Sequence, residues 1–195
     1  MTGVPFSVCV YCGSRNGVRP AYLDLALRLG TAIGRRGWQL VYGGGRAGLM
    51  GAVADATLAA GGTVVGVIPE SLMNLEVGHA GLTELHVVQT MHQRKQLMAE
   101  RSHAFIAMPG GIGTFEELFE VWTWRHLAYH DRPIGLLDAE GYWAPMLQFL
   151  RHSVAEGFMG DDQMAMLHSD DQVERLLDTL ATRAGDPTDD NFSRI

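Results

Sequence analysis

What the chain has little of narrows its chemistry. Its 195 residues include one lysine, Lys95, and two cysteines, Cys9 and Cys12. A mechanism that needs a Schiff-base lysine therefore has a single candidate, and positive charge is carried almost wholly by arginine. Two cysteines with no second pair cannot complete a cysteine zinc site. Their Cys-x-x-Cys spacing lies in Phe6-Ser7-Val8-Cys9-Val10-Tyr11-Cys12, which reads as a strand. Three extended steps set the thiols about 10 Å apart on opposite faces, so they are expected to be ordinary strand-end cysteines. No apolar run approaches the roughly 18 residues of a membrane span. The opening Met1-Thr2-Gly3-Val4-Pro5 has neither a basic region nor a cleavage signal, and a cytoplasmic location is expected. Basic charge is not in excess either: 15 basic residues face 22 acidic ones, a net charge of −7. That balance argues against a nucleic-acid surface and leaves room for a small anionic ligand at a locally positive site. No metal and no cofactor are expected.

What is present is a hydrophobic fraction of 47% with mean hydropathy near zero, as in a globular chain large enough for a real core. Apolar runs alternate with helical patterns. Strands are predicted at 6–11, 39–42, 63–68, 85–88, 104–108 and 134–137, and helices at 20–36, 49–60, 91–101, 114–129, 142–156 and 171–182. Continuous apolar strands alternating with helices predict an α/β fold: a doubly wound, Rossmann-like parallel sheet with helices on both faces. One domain is expected over 1–184, with a polar, loose tail over 185–195. Ligands of such sheets bind beyond the carboxyl ends of the strands. The turns after strands at Gly13-Ser14, Gly43-Gly44-Gly45 and Gly110 to Gly113 should open on that one rim, which makes Ser14, Gly43, Gly44 and Gly110 candidate binding residues.

The most informative stretch is Pro109-Gly110-Gly111-Ile112-Gly113-Thr114-Phe115-Glu116-Glu117. Glycines there let backbone amides crowd an anion, and the start of the next helix adds partial positive charge, a good setting for phosphate. Thr114 and Glu117 also have the T-x-x-E spacing of a capping box, which would make Glu117 a helix cap. Glu116 reads equally as compensation for the helix dipole. Met91-His92-Gln93-Arg94-Lys95 opens the preceding helix, where a basic pair opposes the dipole unless an anion lies nearby. Gly43 to Gly51 resembles a dinucleotide fingerprint only loosely. Glu76 and His79 fall in an irregular loop, where a carboxylate over the site could accept hydrogen bonds from a base or sugar. His103 is expected to be a packed, satisfied histidine. Phe119, Trp122, Trp124 and Tyr129 make the helix after the glycine turn apolar on more than one face, as in a core or a dimer interface.

Together these segments resemble the LOG family (Lonely Guy, cytokinin riboside 5′-monophosphate phosphoribohydrolases), from about residue 7 to 158. The resemblance rests on Tyr42-Gly43-Gly44-Gly45, Gly48-Leu49-Met50-Gly51, Glu76, Met91-His92-x-Arg94-Lys95 and Pro109-Gly110-Gly111-x-Gly113-Thr114-x-x-Glu117. It implies cleavage of the N-glycosidic bond of an adenosine 5′-monophosphate derivative to free base and ribose 5-phosphate. It implies Arg94 and Glu117 as the catalytic pair. It also implies that Glu76, Lys95, Gly111, Ile112, Gly113, Thr114, Phe115, Glu116 and Thr123 line the nucleotide site, in a homodimer that shares residues across its interface. Older descriptions of such sequences as lysine decarboxylases find no support here, since no pyridoxal site is recognisable around Lys95. Two positions depart from the family pattern: His103, where aspartate is usual, and Arg46. A general AMP nucleosidase and a nucleotide-binding sensor without turnover are the alternatives. The first would take AMP itself as a good substrate, and the second has no need of Glu117.

Overall fold

The computed structural model describes residues 5–73, 78–184 and 192. Seven strands form one sheet: β1 (Ser7–Tyr11), β2 (Gln39–Tyr42), β3 (Thr63–Pro69), β4 (Glu84–Val88), β5 (Ala104–Ala107), β6 (Ile134–Leu137) and β7 (Leu167–Asp170). All neighbours are parallel, in the order β4-β3-β2-β1-β5-β6-β7. The helices are α1 (Pro20–Arg35), α2 (Gly48–Ala59), α3 (Met91–Glu100), α4 (Ile112–His126), α5 (Ala144–Ala155), a short α6 (Asp161–Met164) and α7 (Val173–Arg183). This is the doubly wound, Rossmann-like α/β sheet that the alternation predicts. No described helix is long and apolar enough to cross a membrane.

Each central strand is buried on both faces, which is why its sequence runs apolar without alternation. One face packs Val8, Val10 and Cys12 against α1, α2 and α7 through Leu25, Leu29, Val53 and Leu177. The other packs Cys9, Tyr11 and Phe105 against α3, α4 and α5 through Met98, Leu118, Trp122 and Leu150. The two cysteines thus belong to opposite layers, as the strand reading requires. Burial pushes both thiols far above the range in which a thiolate forms.

Four features differ from the sequence reading or extend it. β7 was not predicted, because Leu-His-Ser-Asp carries a single strong hydrophobe; as an edge strand it pairs with β6 alone and is only half-buried. His103 has its partner: its Nδ1 accepts from the Ser7 amide at 3.0 Å, while its ring stacks on Phe6. His79 is structural, 7% exposed. Its Nδ1 accepts from the Gly81 amide at 3.1 Å, so Nε2 carries the proton donated to Asp55 at 2.8 Å and ties the loop to α2. Within the tail expected to be loose, Phe192 is buried against Trp124 and His130, with the Arg132 guanidinium 4.7 Å over its ring. The rest of that stretch lies outside the described residues.

Candidate active site

After β4, at one edge of the sheet, the chain crosses back to β5 beside β1. The winding direction reverses there, so the loops leaving β1 and β5 diverge to opposite faces and open a crevice at their carboxyl ends. A cleft of about 540 Å³ occupies this position, a size suited to a small organic ligand. The end of β1 and the loop running on from it, residues 10–17, line it together with the turn after β5 and the first residues of α4, residues 109–114. Gly43, Arg94, Glu117, Tyr22 and Tyr142 complete the parts of the lining that bear on chemistry.

Arg94 is 5% exposed. Its Nε donates to the Val67 carbonyl at 3.1 Å and its Nη2 to the Gly43 carbonyl at 3.0 Å. Two backbone acceptors from neighbouring strands thus set the plane of the guanidinium. Residue 43 has to be glycine for this, since a Cβ would stand 1.9 Å from Nη2. α3 is anchored by a capping box not anticipated in the sequence: the Thr90 side chain accepts from the Gln93 amide at 3.1 Å, and Gln93 accepts in return from the Thr90 amide at 3.2 Å.

The turn after β5 corrects the expected cap. α4 begins at Ile112, with Gly111 at the cap position and no side-chain cap. Thr114 and Glu117 therefore stand inside the helix, and their T-x-x-E spacing does not cap it. The first-turn amides of α4, which no carbonyl within the helix can satisfy, lie at the cleft. Gly110 is tight against Thr114, whose Oγ1 a Cβ would meet at 2.1 Å, whereas Gly111 and Gly113 have open space in the Cβ direction. Glu117 is half-buried and faces the same cleft. Bare amides, a buried arginine and a carboxylate thus converge on one space, and such a set can bind an anion and stabilise a developing cation beside it.

Of the residues expected in the site, the cleft gathers Ser14, Gly43, Arg94, Gly110, Gly111, Ile112, Gly113, Thr114 and Glu117. Gly44, Lys95, Phe115, Glu116 and Thr123 do not line it, and Glu76 lies outside the described residues. Lys95 is engaged elsewhere: its Nζ donates to Glu120 at 2.9 Å and also to Glu116, both on α4. The anion expected beside the basic pair is, for Lys95, supplied by the chain itself. Burial alone lowers the Lys95 pKa, but the hydrogen bonds it donates to the two carboxylates, and their charge, outweigh this and hold the ammonium above its ordinary value. A Schiff-base lysine needs the opposite shift. Thr123 spends its hydroxyl on the Phe119 carbonyl of its own helix, at 2.6 Å.

The sequence reading missed Arg15, Asn16, Tyr22 and Tyr142, which also line the cleft. A signal for Tyr142 was available. It follows β6, whose carboxyl end lies on the same rim as those of β1 and β5.

Fold and site define an α/β protein with a cleft at the switch point of its sheet, lined by groups that can bind a small anion. A family model described as "Possible lysine decarboxylase" matches residues 50–180. A cytokinin riboside 5′-monophosphate phosphoribohydrolase of Rhodococcoides fascians is 55% identical over 156 residues, 80% of this chain and 79% of that protein. The cytokinin riboside 5′-monophosphate phosphoribohydrolase LOG1 of Arabidopsis thaliana is 45% identical over 173 residues, 89% of this chain and 81% of that one. The molybdenum cofactor carrier protein of Chlamydomonas reinhardtii shares the fold alone, with a TM-score of 0.70 at 20% identity over 91% of this chain and 97% of its own. The chain belongs to the LOG family of cytokinin riboside 5′-monophosphate phosphoribohydrolases.

Proposed function

We propose that the chain hydrolyses the N-glycosidic bond of cytokinin riboside 5′-monophosphates, that is, N6-modified AMP, giving the free base and ribose 5-phosphate. The observation that carries this reading is the convergence of Arg94 and Glu117 on one cleft with the uncapped start of α4. The names of relatives at 45–55% identity supply the substrate.

The 5′-phosphate is assigned to the backbone amides of residues 110–114, where the helix dipole favours an anion. Holding it there aligns the ribose with Glu117 through binding energy remote from the reacting bond. As the bond from C1′ to the base nitrogen breaks, its electron pair leaves with the base and positive charge develops on the ribosyl ring. The Glu117 carboxylate stabilises that charge and orients the water whose oxygen bonds to C1′, and the proton that this water sheds ends on the departing base. Arg94, immobilised by two carbonyls, orients Glu117, a ribose hydroxyl or the phosphate.

The active form is proposed to be a homodimer. Phe119, Thr123 and Leu127 follow at four-residue steps along one exposed stripe of α4 and its end, a spacing that puts them on a single face. A second copy on that stripe would bring Thr123, Lys95 and Glu116 toward an interface, which fits their absence from the cleft of one chain; sedimentation velocity checks it.

The test is incubation with isopentenyladenosine 5′-monophosphate and with AMP, reading released ribose 5-phosphate. Release from the modified nucleotide is expected, and faster than from AMP. Equal rates would make the chain a general nucleosidase, and binding without release would make it a sensor. Glu117→Ala is expected to lower kcat by at least about 100-fold while nucleotide binding persists. Activity surviving that change would remove Glu117 from the mechanism, and an unaltered rate in Arg94→Ala would do the same for Arg94.

A further inference from the structure

We propose that Tyr142 is a positioning residue: its hydroxyl locks the Gly110–Gly111 peptide and so sets the direction of the Gly111 amide for the nucleotide's 5′-phosphate. The inference rests on the phosphate placement above.

An anion site built from backbone amides requires every nearby carbonyl oxygen to be turned away and satisfied. The turn has three such carbonyls. Pro109 O accepts from the Gly13 amide at 3.1 Å, and Gly111 O accepts from the Phe115 amide at 3.1 Å. Gly110 O accepts from the Tyr142 hydroxyl. The first two are held by backbone, and only the third depends on a side chain. A trans peptide points its N–H opposite to its C=O, so fixing the Gly110 carbonyl fixes the Gly111 amide. A lock is needed at this peptide above others. Both flanking residues are glycines with wide φ/ψ access, and no protein atom lies within 4 Å of where a Gly111 Cβ would stand.

The surroundings are built to deliver this hydroxyl. The chain between β6 and α5 turns through two consecutive residues of positive φ, Glu140 at 57° and Gly141 at 71°. A non-glycine residue held there is strained and needs neighbours that over-determine it. Tyr142 follows at once. Its amide donates to the Ala139 carbonyl at 3.1 Å, and its ring is gripped edge-on by Trp143 at 5.0 Å and Tyr22 at 5.8 Å. Trp143 is fixed in turn, its amide donating to Asp138 Oδ1 and its indole N–H to the Leu137 carbonyl, both at 3.2 Å. The phenol is thus oriented from both sides before any ligand arrives.

The experiment compares wild type with Tyr142→Phe, which keeps the ring and removes the hydroxyl. Calorimetry measures binding of AMP and ribose 5-phosphate, and inhibition kinetics measure adenosine, which lacks the phosphate. Both phosphate-bearing ligands are expected to bind about fivefold more weakly, the worth of one neutral hydrogen bond, with adenosine unchanged. KM is expected to rise by the same factor with kcat little altered. A second variant without the hydroxyl, Tyr142→Met, is expected to show the same phosphate-selective loss. Unchanged phosphate binding, or equal weakening of AMP and adenosine, would overturn the lock and leave Tyr142 as cleft wall. Wild-type protein that binds AMP but releases no ribose 5-phosphate would defeat the hydrolase reading alone.

Discussion

Replacing Gly111 by alanine separates what the protein needs at the cleft from what a ligand needs. Gly111 is the cap residue of α4, at φ −102° and ψ −157°, a backbone conformation open to alanine. An added Cβ would find no protein atom within 4 Å. Two small effects on stability oppose each other. Reducing the freedom of the unfolded chain stabilises by about 0.4–1 kcal/mol, and alanine is worse than glycine at a cap by roughly 0.5–1 kcal/mol. The net is within about 0.5 kcal/mol of zero, so Tm should move by less than about 2 °C for a chain of this size. Activity should respond very differently, because the methyl group would stand where the phosphate approaches the turn. A displacement of about 1 Å costs on the order of 100-fold, or about 2.7 kcal/mol of transition-state stabilisation. Thermal unfolding gives the first quantity and release of ribose 5-phosphate the second. Gly111→Ala protein with unchanged Tm and kcat/KM within about threefold of wild type would show that no phosphate sits against this turn.

Gly43→Ala should fail in both respects, because its Cβ would stand 1.9 Å from Arg94 Nη2 and push the guanidinium off two carbonyls. At about 1–2 kcal/mol for each buried acceptor left unsatisfied, Tm should fall by roughly 5–15 °C, alongside a loss of activity; a fall under about 2 °C would refute the anchoring role of Gly43. Stability should also fall with acid. Burial, with Arg132 nearby, lowers the pKa of His103 from its ordinary 6.5, and burial, with Arg183 and Arg125, does the same for His168. Below the ordinary value the unfolded chain takes up protons that the folded chain resists, so stability is complete above about pH 6.5 and drops as pH falls below it. Tm measured from pH 7.5 to 5.5 should decline, and His103→Asn, which cannot titrate, should decline less; identical slopes would exclude His103.

The sheet was legible because its physics is local. A strand buried on both faces must be apolar throughout, and the five inner strands announce themselves that way; the two edge strands have no such requirement, and of these β4 shows through Leu85, Val87 and Val88 whereas β7 does not. The rim of glycine turns followed from parallel winding alone. The misreading fell at the start of α4, where Thr114 and Glu117 have the spacing of a capping box and the helix nevertheless begins earlier, at a glycine. A cap would have stabilised the helix by about 1 kcal/mol and covered amides that an anion site must leave bare. Local propensity loses there, in keeping with the anion site proposed at this turn, and such conflicts gather where a fold does chemistry. Tyr22, Tyr142 and Arg15 escaped notice for another reason. Their meeting at one cleft depends on the strand order, with β5 and β6 on the far side of β1, and no local pattern encodes that order. Once the order is known, the carbonyl accounting of the 109–111 turn singles out Tyr142, because of its three carbonyls only the Gly110 oxygen depends on a side chain to be held away from the proposed phosphate position.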